Sequence, residues 1–372
     1  MKILVASDSF KGTMSSREIG RIVQQELAPA HQVDYLPVSD GGEGFLDSLQ
    51  GLYPGQLRQA RSQDPLGREI ICQYILSDDK TAIIESAVTV GLGLLAESER
   101  NPMNAGTYGL GLLIGDGLRQ GAERVYIGLG GSAVNDGGAG LLTAMGVGIF
   151  DKSGVEIKEN GGKVLNRIAA LDTSALDSWI QAASFYAVCD VDNPLLGPRG
   201  ATRVYGPQKG ADPAMVESLE EGMTIWAEVV KRETGQDDAD VPGAGAAGGL
   251  GFCLKSCFNA RLIRGIDAQV DLTGLEGRIS QYDLIITGEG KLDRQTKSGK
   301  VPLGMLRLGE KYHIPVVCLC GLNESTGDMG FKKVFSIVPQ HASYVESIAA
   351  PELSLLKLIR DEVIHWIDSE MV

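Results

Sequence analysis

The 372-residue chain has only four histidines, His31, His313, His341 and His365, and none falls in a glycine-rich stretch. A Ser-His-Asp or Cys-His mechanism is therefore poorly supported. The six cysteines are scattered. Cys253 and Cys257 have helical spacing, and Cys318 and Cys320 lie in an apolar, strand-like run. No further close ligands accompany them, so a disulfide framework and a zinc site are both disfavoured, and the thiols read as buried core. Basic residues are outnumbered: 34 Lys and Arg against 48 Asp and Glu give a net charge of -14. Nucleic acid or an anionic membrane would need a basic face, so neither is expected as a partner. A small anionic ligand needs only a local cluster of Lys and Arg, and stays open. No apolar run reaches transmembrane length, and Met1 to Ala6 is too short for a signal core, so a cytoplasmic location is expected. The motifs G-x-x-x-x-G-K-[ST], H-R-D and D-F-G are missing as well, which excludes a Walker NTPase and a protein kinase.

What the chain has in quantity is glycine, 49 residues of it, within an ordinary globular composition of 43% hydrophobic and 22% charged residues. Its length suggests two domains. Lys2 to Ala6 reads as a buried strand, Ser15 to Leu27 as an amphipathic helix and Gln32 to Pro37 as a second strand. Leu57 to Arg61, Ile70 to Leu76 and Thr81 to Ile84 are consecutive short strands, the pattern of an antiparallel or mixed sheet. A long helix is expected over about Pro213 to Glu233. The α/β rhythm returns with Asp283 to Thr287, Val316 to Cys320 and Val334 to Val338, and an amphipathic run, Glu352 to Ile367, closes the chain. The two ends share a pattern that the middle lacks. The expected fold class is therefore α/β: a Rossmann-like parallel-sheet domain built from residues 1–60 and 266–372, with residues 61–265 inserted as a second α/β domain carrying a mixed sheet. The cleft between the domains is the expected ligand site.

Five glycine-rich loops combine small residues, carboxylates and lysines, several of them directly after a strand-like run, where α/β proteins bind ligands. In Ser7 to Thr13, Asp8 and Ser9 precede Lys11, which could bridge phosphate oxygens as a point charge. In Ser39 to Gly44, Asp40 and Glu43 flank Gly41 and Gly42 and could hold a hydrated Mg²⁺. Asp190, Asp192 and Asn193 follow the strand Phe185 to Cys189, with Gln208 and Lys209 shortly after; the carboxylates could serve as metal ligand or general base, and Lys209, lying between Gly206 and Gly210, could approach an anion with little obstruction. Pro242 to Gly251 contains Gly245 and Gly248 and reads as a phosphate cradle or a site of very close packing. Thr287 to Lys300 carries Gly288, Glu289, Lys291, Asp293 and Lys300, in which the carboxylates could bind metal or take a proton and the lysines could hold an anion.

A further loop follows the run Val125 to Ile127. Gly130, Gly131, Ser132, Asn135 and Asp136 place a hydroxyl, an amide and a carboxylate in one glycine-dense turn. Gly128, Gly130 and Ala133 also satisfy the dinucleotide fingerprint G-x-G-x-x-A, with Asp151 at the distance of a ribose-binding acid. That match is weak in a glycine-rich chain, but it keeps a dinucleotide-dependent dehydrogenase as an alternative. Carboxylates and lysines without histidine suit phosphoryl transfer, in which positioning, Mg²⁺ and cationic clamps dominate and an Asp can take the hydroxyl proton. Asp190, one residue past its strand, is the favoured base. Asp293, further into its loop, is the favoured metal or positioning ligand, with Glu289 beside it in the same loop.

These segments together resemble the glycerate kinase type 1 family of bacterial sugar-acid catabolism. The stretches that carry the likeness are Asp8-Ser9-Phe10-Lys11, Asp40 to Gly44, Gly130-Gly131-Ser132 with Asn135 to Gly138, Cys189 to Leu195, Gly206 to Gly210, Pro242 to Gly249, and Gly288-Glu289-Gly290 with Asp293. The resemblance implies ATP- and Mg²⁺-dependent phosphorylation of D-glycerate, giving 2-phosphoglycerate; a monomer or homodimer is the expected assembly. Transfer to the 3-hydroxyl, and a non-catalytic sensor of sugar acids, are the other readings.

Overall fold

The computed structural model describes residues 1–371 apart from 11, 40, 43, 177, 180–182, 294–300 and 326–327. Lys11, Asp40, Glu43 and Lys300 of the candidate set thus lie outside the described residues. In chain order the strands are β1 (Lys2–Ser7), β2 (Gln32–Tyr35), β3 (Gln56–Gln63), β4 (Glu69–Leu76), β5 (Thr81–Glu85), β6 (Arg124–Gly128), β7 (Gly148–Asp151), β8 (Ile168–Asp172), β9 (Ser184–Val188), β10 (Arg261–Ile263), β11 (Leu284–Leu292), β12 (Val316–Asn323) and β13 (Lys333–Val338). The chain divides into two compact units. The first is Met1–Asp40, Asp47–Leu52 and Arg264–Val372; the second is Gly41–Leu46 and Tyr53–Ile263.

The first unit is a five-stranded sheet in the order β13-β12-β11-β1-β2, parallel throughout. Its strands are continuous apolar runs because both faces are covered. Ile3 and Val5 of β1 pack on one side with Leu284 and Ile286 of β11, against the helix Ser16–Leu27 and the C-terminal helices. Leu4 and Ala6 pack on the other with Ile285, against the helix Val301–Tyr312 and the segment around Ile266 and Leu275. Ser16–Leu27 starts where a capping box closes on it: the Ser15 hydroxyl accepts from the Glu18 N–H, and the Glu18 carboxylate accepts from the Ser15 N–H. Strand β2 ends at Tyr35, short of the expected Pro37. The Leu36 N–H makes a last bond to the Val5 carbonyl (2.8 Å), and Pro37 has no N–H to continue the ladder.

The closing run is helical over Pro351–Leu358 and Ile364–Glu370, joined by one wide π turn, Ile359–Val363. Its buried stripe, Leu355, Ile359, Val363 and Ile367, steps by four. Each such step over-rotates an α-helix by about 40°. The wide turn takes back that drift and keeps the stripe on the sheet.

The second unit has a six-stranded mixed sheet, β10-β9-β6-β5-β4-β3. Strands β10, β9, β6 and β5 are parallel neighbours, while β4 and β3 join antiparallel. Strands β7 and β8 form a separate antiparallel pair. One core holds the unit together, built from Ile84, Val125, Ile127, Phe185 and Ala187 of the sheet and the helices Tyr108–Arg119, Pro213–Thr234 and Leu250–Phe258. Pro213–Thr234 has both ends written in its sequence. Asp212 caps its start by accepting from the Met215 N–H (2.8 Å), Pro213 sits in the first turn, and Gly235 ends it with φ 75°.

Candidate active site

The first unit gathers one group of candidates. Along the chain the sheet is laid down β1 to β2 in one direction, then β11, β12 and β13 in the other. The loops after β1 and β11 therefore diverge, which makes the crevice between them a topological switch point. A cleft of about 840 Å³ opens there, and Asp8, Ser9, Glu289, Lys291 and Asp293 all line it.

Asp8 and Glu289 are buried. The Asp8 N–H donates to the Gly288 carbonyl (2.9 Å), carrying the β1–β11 pairing one residue past the strand. Its carboxylate accepts from the Ser9 N–H (2.7 Å). Gly288 explains itself sterically: a Cβ there would lie 2.3 Å from the Leu319 carbonyl oxygen, so β11 could not sit this close to β12. Lys291 pairs with Glu324 at 2.7 Å, and that bond holds its ammonium above the ordinary lysine range.

The second unit turns most of its candidates inward. Lys209 was expected to approach an anion freely, because it lies before Gly210. It is 2% exposed, and its ammonium donates to the Val134 carbonyl (2.7 Å) and the Ser132 hydroxyl (3.0 Å). Burial pulls its pKa down to about 7, against the opposing field of Asp136. Asp136 is fully buried and accepts from the Thr107 N–H (2.8 Å) and hydroxyl (2.8 Å) and from the N–H groups of Gly138 (3.1 Å) and Gly140 (3.2 Å). Burial raises its pKa and those bonds oppose the rise. Asn135 donates to the Thr202 hydroxyl (3.0 Å). The polar turn after β6 is thus bound to the interior of its own unit.

The glycines follow the same logic. A Cβ on Gly130 would meet Gly42 Cα at 2.3 Å, and one on Gly41, at φ 82°, would meet the Val188 carbonyl at 2.8 Å. Gly131 takes φ 63°, and its carbonyl accepts from Leu92 (2.7 Å). Glu85, which the sequence reading passed over, sits at the end of β5 and accepts from the N–H groups of Gly44 (3.3 Å) and Leu46 (3.1 Å). Its signal was present: a carboxylate directly after the apolar run Ala82 to Ile84.

In Pro242 to Gly251 the glycines allow close backbone approach. A Cβ on Gly245 would lie 2.3 Å from the Pro194 carbonyl, and one on Gly248 2.0 Å from the Val134 carbonyl. Asn193 closes its own loop, donating to the Arg199 carbonyl (2.7 Å) and accepting from the Tyr205 hydroxyl (2.7 Å). Asp190 is half-buried just past β9, while Asp192 and Gln208 are exposed.

The dinucleotide fingerprint lacks its context. No helix opens within Gly128 to Ala133; the next begins at Ala139. Asp151 caps its own turn by accepting from the N–H groups of Ser153 (2.8 Å) and Val155 (3.0 Å). Among the described residues no helix is long and apolar enough to cross a membrane, and no three His, Cys, Asp or Glu side chains converge to hold a metal.

Comparison with known proteins gives one consistent answer. The profile of the glycerate kinase family matches residues 3–367. The chain is 39% identical over 378 residues to the glycerate kinase of Bacillus subtilis (strain 168), covering 97% of this chain and 99% of that protein. It is 40% identical over 346 residues to the glycerate 2-kinase of Escherichia coli (strain K12), covering 91% of each. A crystal structure assigned to a glycerate kinase 2 from Salmonella typhimurium LT2 matches with a TM-score of 0.85 at 36% identity, over 100% of this chain and 99% of that one. With a profile spanning nearly all its residues and relatives alike over nine-tenths or more of their lengths, the chain belongs to the glycerate kinase family.

Proposed function

We propose that the protein transfers the γ-phosphoryl group of ATP to the 2-hydroxyl of D-glycerate, giving 2-phospho-D-glycerate, with Mg²⁺ as cofactor. The observation that carries this reading is the 40% identity, over 91% of both chains, to a protein named glycerate 2-kinase. The carboxylates at the ends of β1 and β11 support it.

Phosphoryl transfer asks a protein for positioned charge rather than covalent chemistry. Bound Mg²⁺ would neutralise phosphate charge and align the nucleotide. Such an ion takes one or two carboxylates and fills its shell with phosphate oxygens and water. The donor set fits that demand: Glu289 and Asp293 offer hard oxygen ligands on one cleft, and the described residues form no closed metal cage. Asp40, Glu43 and Asp192 are further proposed ligands. Asp190 is proposed to accept the proton of the attacking hydroxyl: β9 ends at Val188, one residue short of the expected Cys189, and Asp190 lies half-buried two residues past that end. Lys11, Lys291 and Lys300 are proposed anion clamps. Lys209 is proposed to act at one remove, by fixing Ser132 and Val134. Residues 41–42 and 130–136 would then present a substrate-facing backbone whose shape is set from behind.

The test is an assay of the purified protein with D-glycerate and Mg-ATP, with the product resolved by phosphorus NMR. A 2-phosphoester is expected. A 3-phosphoester would overturn the regiochemistry, and no turnover of glycerate would overturn the reading.

A further inference from the structure

The cleft at the switch point is larger than a three-carbon acid needs, and part of its wall offers such an acid nothing. Its volume, about 840 Å³, is in the usual range for a site that buries a nucleotide-sized ligand. One part of the lining is acidic, from Asp8, Glu289 and Asp293. Another is apolar, from Leu322, Val338, Tyr344 and Ile348. Tyr344 and Ile348 belong to the short helix Tyr344–Ala349 and leave 59% and 48% of their surface exposed. Large apolar side chains kept in water beside these carboxylates suit a ligand that is flat and apolar at one end and polar at the other. Glycerate carries a carboxylate and two hydroxyls on three carbons, with no face to set against an aromatic ring.

We infer that this cleft in the first unit seats the adenosine part of ATP, with the base against Tyr344, Ile348 and Val338, the ribose toward Asp8 and Ser9, and the phosphates, carried with Mg²⁺, toward Glu289, Lys291 and Asp293. The inference rests on the kinase reading above and adds to it the place of the nucleotide. A tyrosine ring stacks on a purine through its π face, and aliphatic neighbours exclude water from the contact. Ribose hydroxyls donate to carboxylates at strand ends, as in other α/β nucleotide sites.

The test uses the full chain. Mg-ATP binding is measured by calorimetry, and KM for ATP and for D-glycerate by assay, on the parent, Tyr344→Ser and Ile348→Gln. Val345→Ser and Leu353→Ser serve as controls; both residues are exposed apolar neighbours that do not line the cleft. The two cleft variants should weaken ATP binding and raise its KM about tenfold each, the range for losing a base-stacking contact. KM for glycerate, the affinity for tripolyphosphate (which has no base) and all properties of the controls should be unchanged. If the parent binds Mg-ATP and phosphorylates glycerate while both cleft variants match it, the placement of the nucleotide is wrong and the kinase reading survives. If the cleft variants raise KM for glycerate and leave ATP alone, the placement is equally overturned. If the parent neither binds Mg-ATP nor acts on glycerate, the kinase reading itself falls.

Discussion

The ammonium of Lys209 lies 2.7 Å from the carbonyl of Val134, buried, with the Ser132 hydroxyl at 3.0 Å as its second acceptor. A lysine held this way ties the turn after β6 to the segment Pro207–Lys209, far along the chain.

Lys209 should make stability depend on pH. Its folded pKa is near 7, below the ordinary lysine value of 10.5. Between those values the unfolded chain binds more protons, so this contribution rises with pH from about 7 to about 10.5; it is lowest, and flat, below 7. Lys209→Met should remove that rise. It should also cost about 1–3 kcal/mol by leaving the Val134 carbonyl and Ser132 hydroxyl without their donor. Urea unfolding of both proteins at pH 6, 7.5 and 9 measures the two effects together. Parallel pH profiles would show that Lys209 is not the titrating group.

Asp136→Asn separates scaffold from binding site. The carboxylate receives only donors. An amide would turn an N–H₂ toward one of them and lose about 2–4 kcal/mol. Thermal unfolding should show the loss directly. An unchanged melting temperature with a raised KM for glycerate would instead make Asp136 a substrate ligand.

Asp190 and Asp293 should fail differently. Asp190→Asn keeps the volume and removes the proposed proton acceptor, so kcat should drop roughly 10²- to 10⁴-fold with Mg-ATP binding intact. Asp293→Asn should raise the Mg²⁺ concentration needed for half-maximal rate. Rate measured against Mg²⁺ concentration distinguishes them. Rescue of Asp190→Asn by added Mg²⁺, without rescue of Asp293→Asn, would exchange the roles.

Gly41→Ala and Gly130→Ala test close packing. The first meets both a φ of 82° and the Val188 carbonyl, the second the Cα of Gly42. Each should destabilise by about 1–3 kcal/mol in urea. Gly44→Ala is the comparison: it has a similar φ, 85°, but open space around it, and should lose less.

The framework was legible because burial on two faces leaves a mark in sequence. The runs Lys2 to Ala6 and Asp283 to Thr287 are apolar without alternation, and they pair in register from Ile3 with Leu284 to Ser7 with Gly288. The strand-end loops could be found for the same reason, since a carboxylate after such a run stands out. Which way a polar turn faces was not legible. Ser132, Asn135 and Asp136 read alike whether they meet a ligand or their own fold, and their partners Lys209, Thr202 and Thr107 are distant in sequence. The apolar wall of the cleft was hidden too, because the helix Tyr344–Ala349 is too short to show a periodic stripe.

The pairing of β1 with β11 also sets an order of events at the ribosome. When the first two strands emerge, the neighbour that β1 needs has not yet been translated, and a two-stranded ribbon is marginal alone. The second unit, whose six-stranded sheet lies entirely between Gln56 and Ile263, is complete before that neighbour appears. The nascent chain must therefore carry β1 as an unfinished edge until β11 has been made. This exposes the apolar run Ile3 to Ala6 to chaperones and to other chains until Leu284 to Leu292 arrives to cover it.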